Sequence, residues 1–174
     1  MHTIREGRRS KDTTALTRNI DKLWHAPQYL GAFKQMPHGK ESTPFKGGPL
    51  PDNCPPKDAI KPPKDAIFLR LVPANPATLD HFKSSKAEGN RRQPRDCDDC
   101  RWAACSVWIA TTPREKLSDL AKLRNLSHMK FIAFIKVDES SGYIKPHEKE
   151  PKHLSFWMFE AFEVAKAIVK VEPL

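Results

Sequence analysis

Apolar and polar positions alternate most plainly in "AIFLRLV", residues 66–72, where Ile67, Leu69 and Leu71 fall on one side of an extended chain and Phe68, Arg70 and Val72 on the other. A period of two predicts a strand. The run "WAACSVWI", residues 102–109, predicts a largely buried strand in which Cys105 shares a face with Ala103, Val107 and Ile109. "KFIAFIKV", the pair Tyr143–Ile144 after the turn "DESSGY", "KHLSFWMF" and "AIVKV" read as further strands. Helical spacing is clearest from Pro113 to Leu126, with Leu117, Leu120, Ala121, Leu123 and Leu126 on one stripe. Thr112, Pro113 and Glu115 form a capping-box pattern ahead of it. In "NPATLDHF", Asn75 and Pro76 suit the cap and first position of a shorter helix. "KSSKAEGNRRQPRDCDDC" is polar and predicts a long loop. The order of elements predicts an α+β domain over residues 67–174: a mostly antiparallel sheet with two or so helices on one side.

Residues 1–66 carry no sustained apolar period. "TTALTRNIDKLW" places Leu16, Ile20, Leu23 and Trp24 at helical spacing, which predicts one short amphipathic helix near 13–24, docked on the core or offered to a protein partner. From Pro37 to Lys64 the chain turns to Pro, Gly and Lys and contains the hexapeptide "PPKDAI" twice, at 55–60 and 62–67. Paired prolines favour extended backbone, so this stretch is expected to be a spacer within a basic, largely disordered tail.

Composition adds a charge argument. Among 174 residues, 30 Lys and Arg face 21 Asp and Glu, a formal net charge of +9, and there are 16 prolines. Mean hydropathy is −0.63. Such a basic chain suits an anionic partner, RNA or DNA. No segment approaches the roughly 20 apolar residues of a membrane span, and "MHTIREGRRSKD" lacks the hydrophobic run of a secretory signal. The expectation is a cytoplasmic protein without membrane contact, whose four cysteines stay reduced.

Cys97 and Cys100 have the spacing of half a zinc knuckle, but structural zinc needs four ligands. Cys105 points into the core, Cys54 lies in the tail, and His81 or His153 would have to substitute. No cofactor is therefore expected, Cys97 and Cys100 being the weak candidates for zinc. Asp96, Asp98 and Asp99 disfavour a reactive thiolate there.

Polar side chains on apolar strands are the stronger functional candidates, because strands hold them rigidly and burial demands compensation. Arg70, Ser106 and His153 would line one site, beside Trp108 and Trp157, if their strands were neighbours. The arginine would bind an anion, the imidazole would move a proton and the indoles would stack on a base. The competing reading pairs Arg70 with an acid such as Asp80 and leaves the rest in the core.

The pattern "FLRLVPANPATLDHFKSSKAEG", "CSVW", "GYIKP", "HLSFW" and "VKVEP" resembles a set of small bacterial proteins of unknown function over residues 67–174, a resemblance that carries no activity. The chain is also similar in outline to ADP-ribosyltransferases, in which an arginine or histidine on an early strand, a serine on a middle one and a late glutamate surround NAD. Arg70, Ser106 and Glu160 or Glu163 follow that order, and the resemblance implies NAD as the ligand; the serine and paired-glutamate motifs of that family are absent. Two functions stay open. The favoured one is a nucleic-acid-associated binding module in which tail cations with Arg91, Arg92 and Arg95 contact phosphates while Trp108 and Trp157 stack on bases. The other is a small enzyme acting on a nucleotide or nucleic acid through Arg70, Ser106, His153 and Glu160.

Overall fold

A computed structural model of the chain describes residues 45–89 and 92–174, all within one compact unit, His38–Leu174. Arg91 and the helix expected near 13–24 lie outside the described residues. Six strands form one sheet: β1 (Ala66–Val72), β2 (Cys105–Ile109), β3 (Phe131–Val137), β4 (Gly142–His147), β5 (Glu150–Met158) and β6 (Ile168–Pro173). Their spatial order is β4-β5-β2-β1-β3-β6, and every neighbouring pair is antiparallel. The α+β architecture with an antiparallel sheet is the one the alternation predicts.

Register decides which side chains share a face. Leu69 lies opposite Trp108, Trp108 opposite His153 and Ser106 opposite Ser155. Because side chains alternate along a strand, one face carries Leu69, Leu71, Ser106, Trp108, His153, Ser155 and Trp157. The other carries Phe68, Arg70, Val72, Cys105, Val107, Leu154 and Phe156. On the first face Leu69, Leu71, Trp108 and Ile132 pack with Leu117 and Met129. On the second, Phe68 meets Phe156 edge to face at 5.8 Å, and Phe156 meets Phe162 at 5.9 Å. Burying a ring as fully as Phe68 or Phe156 is worth about 1.5–3 kcal/mol.

Helices are short: α1 (Ser85–Glu88), α2 (Asp99–Trp102), α3 (Arg114–Ala121) and α4 (Val164–Ala167), with a 3₁₀ turn at Leu79–Phe82. The stretch expected as one polar loop thus contains two helical turns. Ser84 caps α1, its hydroxyl accepting from the Ala87 N–H at 3.1 Å. Asp98 caps α2 by accepting from the Arg101 N–H at 2.8 Å. The acidic run "DCDD" is therefore a helix start, a role for which a short carboxylate ahead of free N–H groups is suited.

Two local expectations fail. α3 has no side-chain cap, and the Thr112 hydroxyl is buried without a partner among the described residues; the helix also stops at Ala121, so that Leu126 and Met129 turn back into the core while Leu123 is left exposed. Asn75 does not start a helix either. Thr78 precedes the 3₁₀ turn, its N–H donating to His81 Nδ1 at 3.1 Å.

The proline- and lysine-rich segment is not a spacer from Phe45 onward. Phe45 bridges Phe159, and Ile60 bridges Ile144 on the outer edge of β4, with N–H to carbonyl distances of 2.9 and 2.8 Å in the two directions. The folded unit thus includes residues ahead of Ile67. Each "PPKDAI" copy makes the same small device. The Ala59 N–H donates to Pro56 O at 2.9 Å and the Ala66 N–H to Pro63 O at 3.2 Å. Asp58 pairs with Lys145 of β4 at 2.8 Å, and Asp65 with Lys136 of β3 at 2.7 Å. In both copies prolines restrict the approach, an aspartate grips a lysine of the neighbouring strand, and Ala-Ile enters the sheet.

Candidate functional site

Ser106 and His153 converge. The Ser106 Oγ stands 2.5 Å from His153 Nε2, joining β2 to β5 across one face. His153 stacks on Trp108, ring centroids 4.4 Å apart and planes 12° from parallel. On its other side lies His147, the last residue of β4, at a centroid distance of 3.9 Å. His147 Nε2 is 3.0 Å from Ser155 Oγ, so two serine–histidine pairs stand side by side on three adjacent strands. Among the described residues, no group hydrogen-bonds to His153 Nδ1.

α2 supplies the cation. Arg101 Nη2 approaches His147 Nδ1 at 3.4 Å, and among the described residues no carboxylate is ion-paired with Arg101. α2 is seated by Trp157, whose Nε1 donates to the Cys100 carbonyl at 3.0 Å. From α3, Lys116 pairs with Glu150 and lies 5.3 Å from the centre of the Trp108 ring.

Both imidazoles are held neutral at pH 7. Burial foremost, then the positive charge of Arg101, pushes His147 down to about 4, with Glu150 opposing. Burial again leads for His153, reinforced by His147, Arg101, Arg70 and Lys116, which together push it to about 3. Removing an imidazolium from water costs more than a nearby carboxylate returns here. The result is a partly exposed polar patch made of two neutral imidazoles, the two hydroxyls they meet, and the Arg101 guanidinium reaching His147, a set of groups able to meet an anion.

The other sequence candidates sit elsewhere. Arg70 is on the opposite face, where its guanidinium donates to the backbone carbonyls of Ser106 at 2.7 Å, His81 at 3.1 Å and Lys83 at 3.4 Å. It ties the 3₁₀ turn to β2, and it is not paired with Asp80, which takes Lys83. Glu160 is exposed past the end of β5, five residues beyond Ser155, roughly 15 Å along extended chain, and its carbonyl accepts from Lys46 Nζ at 2.7 Å. Trp108 and Trp157 are 7% and 2% exposed, which removes both as stacking platforms for bases. Arg92 and Arg95 are exposed in the loop before α2.

Cys100 is joined in a disulfide to Cys54, 46 residues away in sequence, which overturns the expectation of four reduced thiols. Cys97 is a free, half-buried thiol raised by burial, with Asp98, Asp96 and Asp99 adding to the rise and Arg101 opposing it. Cys105 is buried in the core as expected. Among the described residues, no group of three or more His, Cys, Asp or Glu is placed to hold a metal ion, and no helix is long and apolar enough to cross a membrane.

His147 and Arg101 escape a reading of the sequence alone. His147 follows Pro146 at the hairpin end, where a register shift between the two residues is invisible in composition. Arg101 sits in a charged run whose cap at Asp98 is the one available signal. Comparison with protein-family models, curated proteins and solved structures finds no match for this chain.

Proposed function

We propose that the protein is a binding module for a phosphate-bearing ligand, a nucleotide or nucleic acid, and that the patch around Ser106, His147, His153, Ser155 and Arg101 is its site. The observation that carries this reading is an exposed arginine, ion-paired with no carboxylate among the described residues, beside two adjacent imidazoles that burial keeps neutral. A guanidinium offers several donors to phosphate oxygens. A neutral imidazole donates from one ring nitrogen and gains a second donor when an arriving anion stabilises its charged form. Arg92 and Arg95 of the neighbouring loop would add sequence-independent contacts to a longer ligand.

The 2.5 Å contact between Ser106 and His153 favours one second reading, in which Ser106 is a nucleophile and His153 its base. Against it, an imidazole pushed to about 3 is a weak base near neutral pH, where catalysis works best with a matched group. The Cys54–Cys100 disulfide favours an oxidising compartment over the cytosol.

Fluorescence anisotropy with short single-stranded RNA and DNA tests the proposal. Arg101→Ala is expected to weaken binding about tenfold or more, equivalent to about 1.4 kcal/mol. Joint replacement of Arg92 and Arg95 by alanine is expected mainly to flatten the salt dependence. Wild-type affinity in Arg101→Ala and in His153→Gln would remove the site.

A further inference from the structure

We propose that Cys97, Cys100 and Cys54 form an intramolecular thiol–disulfide exchange centre, in which the Cys97 thiol takes over the Cys100 sulfur and releases Cys54, and with it the covalent hold on the arm of residues 45–61. The exchange is independent of whatever the neighbouring patch binds.

Three of the four cysteines lie at the start of α2 or are bonded to it. Cys100 is in the first turn and is joined to Cys54. Cys97, three residues earlier, is a free and half-buried thiol. Its Sγ–H donates to the Asp98 carbonyl at 3.6 Å, the carbonyl that also accepts the Trp102 N–H within α2. Cys105 is free as well but sealed in the core. The Cys-x-x-Cys spacing of residues 97 and 100 is one in which two sulfurs close on each other within a single turn. In the exchange, Cys97 gives its proton to solvent and the thiolate attacks Cys100 Sγ. The Cys97–Cys100 bond forms as the Cys54–Cys100 bond breaks, and Cys54 leaves as a thiolate that takes up a proton. One disulfide and one thiol stand on each side of the step, so neither an oxidant nor a reductant is consumed.

Two features of the fold gate the step. The first is α2 itself. A disulfide needs Cα atoms within about 4.4–6.8 Å, and Asp98, between the two cysteines, is extended at φ −70° and ψ 164°, which lengthens the span from Cys97 to Cys100. Closing that span takes Asp98 out of its cap on the Arg101 N–H. α2 has four residues, and a helix this short has little stability of its own, so the opening is local. Until it opens, burial foremost keeps the Cys97 thiol protonated. The second gate is the seating of the arm. Without the disulfide it keeps the Ile60–Ile144 bridge, the Asp58–Lys145 pair and the Lys61 ammonium over the Tyr143 and Phe159 rings. A seated arm holds Cys54 at Cys100 and favours the present bond. An arm drawn off the β4 edge favours the new one, whose loop is shorter and costs less entropy to close. The three sulfurs thus record whether the arm is in place.

Differential alkylation of the full chain tests this. The oxidised protein is held at about pH 8, near the range where a thiol ionises, without added thiol or oxidant. Samples are quenched in acid and unfolded in N-ethylmaleimide, and the labelled cysteines are identified by peptide mass mapping against a zero-time sample. Label is expected to move from Cys97 to Cys54 with time, while the number of thiols per chain stays constant and Cys105 is labelled throughout. The rate should not change on dilution. Asp58→Ala combined with Ile60→Pro, which removes the lysine pair and the N–H donated to Ile144, should raise the Cys54-labelled share about fivefold or more, the ratio that one lost hydrogen bond carries. Cys97→Ser should leave Cys54 unlabelled. Label confined to Cys97 and Cys105 at every time, in the wild type and in the arm variant alike, would overturn the proposal. So would Cys54 label that persists in Cys97→Ser or rises with protein concentration, because the released sulfur would then have another origin.

Discussion

Replacing Cys54 by serine breaks the link to Cys100 and frees a stretch of chain 46 residues long in the unfolded state. The loop-entropy relation puts the loss for that length at about 4 kcal/mol, at the upper end of the usual range of roughly 2–4. The folded state keeps its other attachments to the same segment: the Ile60–Ile144 bridge, the Asp58–Lys145 pair and the Lys61 ammonium lying 4.0 Å from the Phe159 ring centre and 4.2 Å from that of Tyr143. The cost therefore falls mainly on the unfolded ensemble, which expands. Urea unfolding should show a drop of about 2–4 kcal/mol together with a steeper denaturant dependence, since a looser chain exposes more surface. For a protein of this size the melting temperature should fall by roughly 5–15 °C. Reduced wild type should match the variant. A loss under about 1 kcal/mol with unchanged slope would refute the argument, because it would mean that the cross-link closes no loop the unfolded chain would otherwise explore.

Arg70→Ala should destabilise the fold by about 2–3 kcal/mol in urea titration, because it strips a charged donor from the carbonyls of Ser106, His81 and Lys83; Arg70→Lys should rescue only part, and ligand affinity corrected for folding should be unchanged, whereas intact stability with lost binding would put the arginine in the site. Stability should also fall as the medium is acidified. His147 and His153 are depressed from 6.5 to about 4 and about 3, so below pH 6.5 the unfolded chain binds protons that the folded one refuses, and stability present above that pH is lost as pH drops toward the folded values. The slope should approach about 1.4 kcal/mol per pH unit from His153, with a smaller screened share from the half-exposed His147. His153→Gln should flatten it in denaturation curves collected between pH 4 and 7, and an unaltered slope would contradict the assignment.

What the sequence made legible was what depends on a single element. Alternation located β1, β3 and β5 and already placed Arg70 on the Phe68 side of its strand. It could not say which side of β1 continues the Ser106 side of β2, since that is a matter of pairing register, and the register sets Leu69 against Trp108. So Ser106 and His153, polar groups on apolar strands, are legible as a pair, while the face on which Arg70 falls relative to them is not. The tryptophans read as a binding surface in the sequence because nothing local reveals that α2 and α3 cover them. The partner of Cys100 was hidden for a similar reason. Cys54 sits among prolines that look like spacer, and only long-range docking brings it to α2.

The duplicated hexapeptide raises a question of addressing. Two identical strings lie seven residues apart, and each is competent to make the turn, seize a lysine and deliver Ala-Ile to a strand. Nothing inside the string says which destination is its own. A chain that mis-threads the first copy toward β3 would satisfy the same local chemistry and would be distinguished only by its neighbours. "FLRLV" after the second copy can continue as a central strand, whereas "KPPKD" after the first cannot, since prolines are excluded from the middle of a sheet. Cys54, one residue ahead of the first copy, is tied to Cys100 of α2 and so restricts where that copy can go once oxidised. Proof-reading between two equal signals is thus delegated to the text on either side of them.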